Sequence, residues 1–256
     1  MADFLELFVL ANPPADLKLA MKSAGEAAYP NEACGLVIKV GKKSKVIECA
    51  NVAEFKTCQF RISAEDFAKA SDAGEVIGVW HTHCDNPETP SEADLAACES
   101  SEVTWYIMSV WSSAEGILRS SDVFVLTATG FEMPYLERPY VFGTFDCYSL
   151  AKDYYRREFG ILMGSYPHID NWSNLGHNFL ALNYSREGFV SLVEQEPKVG
   201  DLFLIQSGAS VPNHVAIYLG SEIIMHQMHG RLSRKDVYGG YWLKHTAFHL
   251  RHTTKC

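Results

Sequence analysis

Two stretches of the 256-residue chain hold side chains whose types and spacing could do chemistry. The first is "HTHCDNPETPSEAD", residues 81–94. His81 and His83 alternate along a segment that follows an apolar run, so in an extended backbone both rings project from one side. A zinc ion that activates water needs three nitrogen or oxygen ligands and an open fourth position, and Asp94 could complete that set. Read from the residues alone, His-x-His is equally the pattern of a surface or hydrogen-bonded pair. Ser91 followed by Asp94 just after Pro90 also reads as a capping box opening a helix. A helix starting beside a sheet edge would serve both purposes by carrying Asp94 to the histidines.

The second stretch is "GTFDCYSL", residues 143–150. Cys147 precedes an amphipathic pattern in which Leu150 and Tyr154, and Ala151 and Tyr155, share a face. A helix N-terminus lowers a thiol pKa and favours the nucleophilic thiolate; a cysteine there is otherwise a small buried hydrophobe. Downstream, "NHVAIYLGSEIIMHQM" reads as a β-hairpin. A two-residue Gly-Ser loop would pair His214 with Gln227 and put His226 on the opposite face. A three-residue Gly-Ser-Glu loop makes His214 and His226 diagonal neighbours, roughly 7 to 8 Å apart at Cα, and that register is expected here. His229, His245, His249 and His252 lack comparable positioning and read as surface or hydrogen-bonded residues.

The elements that must position these groups follow from periodicity. Residues 17–28 read as a helix, 34–49 as two strands around "GKKS", and 63–73 as a helix capped at Ser63. Val76 to Trp80 reads as a short buried strand delivering His81 at its C-terminal end. A helix follows from Ser91 to about Ser100, then strands at 103–111 and 121–128. "TGFEMPYLERPY" has a glycine, two prolines and no periodicity, so a domain boundary falls there, giving domains 1–132 and 133–256. In the second, Cys147 opens a helix of about a dozen residues, 164–178 is polar, and a mainly β end starts near Asp201.

Bulk properties exclude several classes. With 47% hydrophobic and 21% charged residues the chain can bury two cores and lacks a disordered composition. It has no uninterrupted apolar stretch long enough for a membrane span. The net charge of −9 argues against nucleic acid as the main partner, since phosphate binding draws on clustered lysine and arginine. Seven scattered cysteines point to reduced thiols and synthesis in a cytoplasm. The start, "MADFLELFVL", is acidic where a secretory leader is basic, so no signal peptide is expected.

Glu32, His81, His83, Ser91 and Asp94 together resemble the JAMM metalloprotease motif of the MPN family, H-x-H-P-x6-S-x2-D with an upstream glutamate. Glu32 stands in "PNEACGLVI", before a Cys-Gly-Leu strand. Cys84 departs from the pattern by replacing the family's proline, which could loosen the loop or bring a thiol to the metal. The resemblance implies one zinc ion on His81, His83 and Asp94, a proton exchanged between Glu32 and water, and an oxyanion assisted by Ser91. The rival cytidine-deaminase pattern needs His-x-Glu and Pro-Cys-x-x-Cys, and neither occurs. "FDCYSL", "NHVAIYLG" and "MHQ" resemble NlpC-type cysteine peptidases. That resemblance implies a papain-like fold with Cys147 as nucleophile, His214 as general base and His226 as its orienting group. Tyr140, in "RPYVFG", resembles the upstream tyrosine that assists the oxyanion, at a shorter gap.

The expected fold class is therefore α+β, mixed α/β, in two domains: an MPN-like mixed sheet flanked by helices, and a papain-like unit with an N-terminal helix on an antiparallel sheet. The two motifs in this order resemble the tail tip assembly proteins of lambda-like phages. That implies a bifunctional peptidase with other tail tip proteins and peptidoglycan stem peptides as partners, made in the host cytoplasm, carried at the virion tail tip and acting at the periplasmic wall. Two alternatives stay open: a structural assembly protein with a non-catalytic zinc site, and a cellular wall-remodelling peptidase.

Overall fold

The computed structural model describes residues 13–101, 103–166, 173 and 175–255. The acidic opening segment, from which no leader was expected, lies outside them, as does part of the polar 164–178 stretch. The chain divides into two compact units, Met1–Glu132 and Met133–Cys256.

The first unit contains helices α1 (Ala15–Ala28), α2 (Ala64–Ala73) and α3 (Glu92–Ser101). Its strands are β1 (Cys34–Val40), β2 (Lys43–Cys49), β3 (Glu75–Cys84), β4 (Thr104–Ser112), β5 (Leu118–Ser120) and β6 (Phe124–Leu126). They form one sheet in the order β2-β1-β3-β4-β5, with β6 also on β4. Only the β3–β4 pair is parallel. Leu17, Met21 and Ala24 recur at helical spacing on α1 and bury with Val37, Trp80 and Met108 on one sheet face. On the other face, Ala70 of α2 and Cys98 of α3 pack on Leu36, Ile38, Val79, Trp105 and Ile107. The α2 cap is as expected, with the Asp66 N–H donating to Ser63 Oγ at 3.0 Å. Gly35 is a point of close approach: a Cβ there would lie 2.6 Å from Trp80 Nε1, which donates to the Ile47 carbonyl.

Two expectations are corrected. The central strand runs from Glu75 to Cys84, so His81 and His83 lie inside it and not past its end. The cause is double pairing: Cys34 opposes His81 on one side, and β4 pairs with Gly78 through Cys84 on the other. The strand expected at 121–128 is shortened to β6, and the short β5 lies upstream of it. Between them Ser121 Oγ accepts the Ser109 N–H and Asp122 Oδ1 accepts the Val123 N–H, diverting backbone groups from the ladder.

The second unit contains α4 (Cys147–Phe159), the short α5 (Phe179–Asn183) and α6 (Gly240–His245), with strands β7 (Phe189–Leu192), β8 (Leu202–Ile205), β9 (His214–Gly220), β10 (Ile223–His226), β11 (Arg234–Val237) and β12 (Thr246–His252). The sheet order is β11-β10-β9-β8-β12-β7, antiparallel throughout. It starts earlier than expected, at Phe189. Leu150, Ala151, Tyr154 and Tyr155 of α4 bury against Leu204, Val215, Ile217 and Leu250. Asp146 caps α4 reciprocally, with the Ser149 N–H donating to Asp146 Oδ1 at 2.8 Å and the Asp146 N–H to Ser149 Oγ at 2.7 Å. On the opposite sheet face, Phe203, Ile205, Ala216 and Ile224 pack with Tyr238 and Trp242. The fold is thus mixed α/β in two units, a mixed sheet and an antiparallel sheet with a helix.

Candidate metal centre and thiol site

In the first unit, side-chain alternation puts His81 and His83 on the β3 face covered by α3. Asp94, in the first turn of α3, reaches them from above: Oδ1 is 3.3 Å from His81 Nε2, and Oδ2 is 3.3 Å from His83 Nε2. The two Nε2 atoms are 3.1 Å apart. One ligand atom from each residue falls within 4.8 Å of the others, a group that could hold a metal ion. The supporting contacts fit that use. His83 Nδ1 donates to the Pro87 carbonyl at 2.7 Å, leaving a lone pair on Nε2 toward the group. The His81 ring is clamped between Phe60, stacked at 4.4 Å, and the edge of Trp105. His81 Nδ1 is buried with no partner among the described residues.

The capping and metal readings of "PSEAD" coexist in one carboxylate. The Ser91 N–H and Oγ both donate to Asp94 Oδ2 at 2.7 Å, and the Asp94 N–H returns a bond to Ser91 Oγ at 3.2 Å. Burial opposes ionisation of Asp94, yet His81, His83 and Ser91 hold its carboxyl well below the usual range. Burial pushes His81 down. Burial alone would also lower His83, but Asp94 and the Pro87 carbonyl raise it. Glu32 precedes β1 and is buried; burial pushes it up to about 8, with His83 opposing and Asp94 adding. The backbone of Glu32 is fixed by its N–H to the Lys56 carbonyl and by Asn51 Nδ2 on its own carbonyl. Cys84 shares the opposite β3 face with Trp80 and Thr82, so its thiol points away from the metal group.

In the second unit, the β9–β10 hairpin carries both histidines on one face, in the expected register: His226 opposes Ala216, diagonal to His214. The turn differs from expectation. It is a two-residue Ser221-Glu222 loop, both residues at positive φ (49° and 59°), closed by Gly220 against Ile223. A bulge between Ile223 and Ile224 then supplies the one-residue shift that a three-residue loop would have given. His214 Nε2 lies 2.9 Å from His226 Nδ1, and Trp242 packs against both rings, at 5.8 and 4.6 Å. His226 Nε2 in turn lies 3.1 Å from Asp236 Oδ2, and Arg234 Nη2 donates to the same oxygen at 2.8 Å.

Cys147 is the first residue of α4 and only half-buried. The backbone amides of Val215, one residue beyond His214, and of Tyr148 and Cys147 itself lie close enough to the sulfur to favour its ionised form. No hydrogen bond joins the thiol to either imidazole among the described residues. The expectation that the helix N-terminus lowers this thiol fails: burial, reinforced by Asp146, outweighs those N–H groups and pushes it up to about 12. Burial and the neighbouring His226 push His214 down to about 3.

The Tyr140 ring packs on exposed His229 at 4.7 Å. Its segment runs beside the end of β10, because Gln227 Nε2 donates to the Arg138 carbonyl at 2.9 Å. His249 and His252 bond to Asp201 and Thr254, and His245 Nδ1 to the Tyr241 carbonyl. Asp236 was missed in the sequence, since only the β10–β11 register, Ile224 opposite Asp236, brings it beside His226. No helix among the described residues is long and apolar enough to cross a membrane.

Comparison with known proteins agrees with both halves. Residues 14–121 match the family of prokaryotic homologs of the JAB domain, and residues 137–251 match the NlpC/P60 family. The chain is 35% identical over 229 residues to the tail tip assembly protein K of Escherichia phage N15, covering 89% of this chain and 90% of that one. It is 30% identical over 192 residues to the protein of the same description in Escherichia phage lambda, covering 75% and 89%. Among solved structures, an NlpC/P60 family protein from Bacillus cereus ATCC 10987 aligns at 14% identity over 90% of this chain and 66% of that one, with a TM-score of 0.33.

Proposed function

The chain belongs to the family of tail tip assembly protein K, with a JAB domain followed by an NlpC/P60 domain, and from that premise we propose a bifunctional tail tip peptidase. In this reading the second unit cuts amide bonds in peptidoglycan stem peptides and opens the wall locally during genome entry. The first unit cuts a peptide or isopeptide bond during tail assembly. The chain is made in the host cytoplasm and carried at the tail tip among other tail tip proteins. The observation that carries the reading is the pair of buried histidines, His214 and His226, meeting at 2.9 Å, with Val215, the residue after His214, close to the Cys147 thiol.

With the thiol raised to about 12 and His214 lowered to about 3, the resting pair is neutral. Cys147 then gives up its proton to His214 Nδ1 only as sulfur attacks the substrate carbonyl. The hydrogen bond absent from the resting geometry is one that substrate binding tightens. The tetrahedral oxyanion takes N–H groups at the start of α4 and the Tyr140 hydroxyl, supported by the placement of Tyr140 alongside β10. As the C–N bond breaks, His214 returns the proton to the leaving amine and a thioester remains on Cys147. Water, deprotonated by His214, releases the acid and restores the thiol.

In the first unit His81, His83 and Asp94 would hold one zinc ion, whose two-nitrogen, one-oxygen donor set they match. A zinc ion bound there supplies Lewis acidity, polarising a carbonyl and acidifying water. Burial raises Glu32 to about 8, and a cation held by the neighbouring ligands would favour its ionised form, which accepts a proton from water and passes it to the leaving amine. The Ser91 hydroxyl, bonded to Asp94, turns toward the developing oxyanion when substrate displaces that bond.

The test is digestion of purified peptidoglycan with fragments identified by mass. The wild type releases stem-peptide products and Cys147→Ala does not; identical products from both would refute the thiol site. For the first unit, Glu32→Gln retains zinc but loses hydrolysis. Recovery of the chain in purified virions tests the tail tip placement.

A further inference from the structure

The second unit carries a fourth polar residue in line with the three already assigned. Asp236 lies on β11 opposite Ile224, so it is the diagonal neighbour of His226 on the same sheet face. Its Oδ2 meets His226 Nε2 at 3.1 Å, His226 Nδ1 meets His214 Nε2 at 2.9 Å, and no hydrogen bond engages His214 Nδ1 among the described residues. We propose that Asp236 is a positioning residue that fixes the tautomers of both histidines and so makes His214 Nδ1 the basic nitrogen. The inference rests on the reading of Cys147 and His214 as nucleophile and base.

The argument is one of donors and acceptors. An ionised carboxylate only accepts, so His226 Nε2 must carry the proton in that contact. A neutral imidazole has one N–H, so His226 Nδ1 is then an acceptor and the proton between the rings sits on His214 Nε2. His214 Nδ1 is thereby unprotonated, ready to take the thiol proton. Reverse the chain, with a donor in place of Asp236, and His214 Nδ1 carries a hydrogen and cannot act as base. Asp236 is kept ionised because Arg234 and His226 outweigh its partial burial. Its Oδ2 is shared with Arg234 Nη2 at 2.8 Å, which also stops the carboxylate from rotating away. The groups facing His226 are thus Asp236 and Arg234 from β11, His214 from β9 and the neutral Trp242 from α6.

The test is imidazole nitrogen NMR on the full chain at neutral pH, which reports tautomers whether or not the protein is active. Expected in the wild type are Nε2–H forms for both His214 and His226; an Nδ1–H form of either would overturn the proposal. Asp236→Asn keeps size and shape but offers an amide donor. It is expected to populate the reversed chain and lower kcat/KM on stem-peptide substrate by at least about tenfold, with the acid limb of the pH profile moved to lower pH. Asp236→Glu restores the acceptor and should recover tautomers and part of the rate. Wild-type tautomers and pH profile in Asp236→Asn would refute the proposal. Activity surviving in Cys147→Ala would instead refute the underlying nucleophile assignment, while the spectra still decide the tautomers.

Discussion

Asp94 is asked to do two jobs, and two substitutions separate them. Ser91→Ala removes the hydroxyl that bonds Asp94 Oδ2 at 2.7 Å and accepts the Asp94 N–H at 3.2 Å, but leaves the carboxylate and both imidazoles. Loss of such a cap costs about 1 kcal/mol. Asp94→Asn keeps an oxygen for the Ser91 N–H but replaces the anion that stands 3.3 Å from each histidine. A ligand present at about 100 times its Kd stabilises the folded state by about 2.7 kcal/mol. For a unit of this size that corresponds to a rise in Tm of roughly 10 °C. Calorimetry of the full chain with and without zinc therefore has distinct expectations. The transition of the first unit rises by that amount in the wild type, rises from a slightly lower start in Ser91→Ala, and barely moves in Asp94→Asn. A full zinc-dependent shift in Asp94→Asn, or its loss in Ser91→Ala, would refute the assignment of the carboxylate as ligand.

Gly35→Ala should destabilise by at least about 2 kcal/mol, because a Cβ there meets Trp80 Nε1 and the Ile47 carbonyl; an unchanged urea midpoint would contradict it. Burial raises Cys34, Cys98 and Cys147 to about 12, above an unfolded thiol near 9. The unfolded chain thus ionises first, and the stabilisation present below about pH 9 is lost as pH rises toward 12, by about 1.4 kcal/mol per thiol at pH 10. Urea midpoints between pH 8 and about pH 10 measure this, and a flat profile would refute it. Asp201, buried under the Arg251 guanidinium at 2.7 and 2.8 Å with His249 beside it, is held below the usual carboxylate range although burial opposes this. Its contribution is present above about pH 4 and lost as pH falls further. Asp201→Asn should cost about 3 kcal/mol or more and flatten the acid limb of stability; a wild-type acid profile in that variant would count against it.

Local signals were strong wherever one segment carried the whole message. The helix over Leu17, Met21 and Ala24, the Ser63 cap, and the start of α4 at Cys147 can all be read from neighbouring residues. Spacing also drew attention to His81, His83 and Asp94, whose convergence is a matter of one strand and the helix above it. Quantities set by tertiary surroundings were not legible. The thiol at Cys147 has a favourable helix end but a less favourable enclosure, and only packing reveals which wins. The bulge beyond Ser221-Glu222 leaves no mark in composition, although it sets the histidine register. Asp236 escaped because its partner is reached across a strand pair whose alignment no local pattern encodes.

The parts of the metal group differ in how firmly they are anchored. His81 and His83 ride on β3, which is bonded to β4 through Cys84 and to β1 as far as His81, so their backbone amides should be among the later ones in the first unit to exchange with solvent. Asp94 belongs to the first turn of a ten-residue helix. Fraying of that single turn withdraws one ligand while the sheet stays intact. Ion exchange would then proceed through a local opening far less costly than unfolding, and its rate would track the Ser91 cap more closely than global stability.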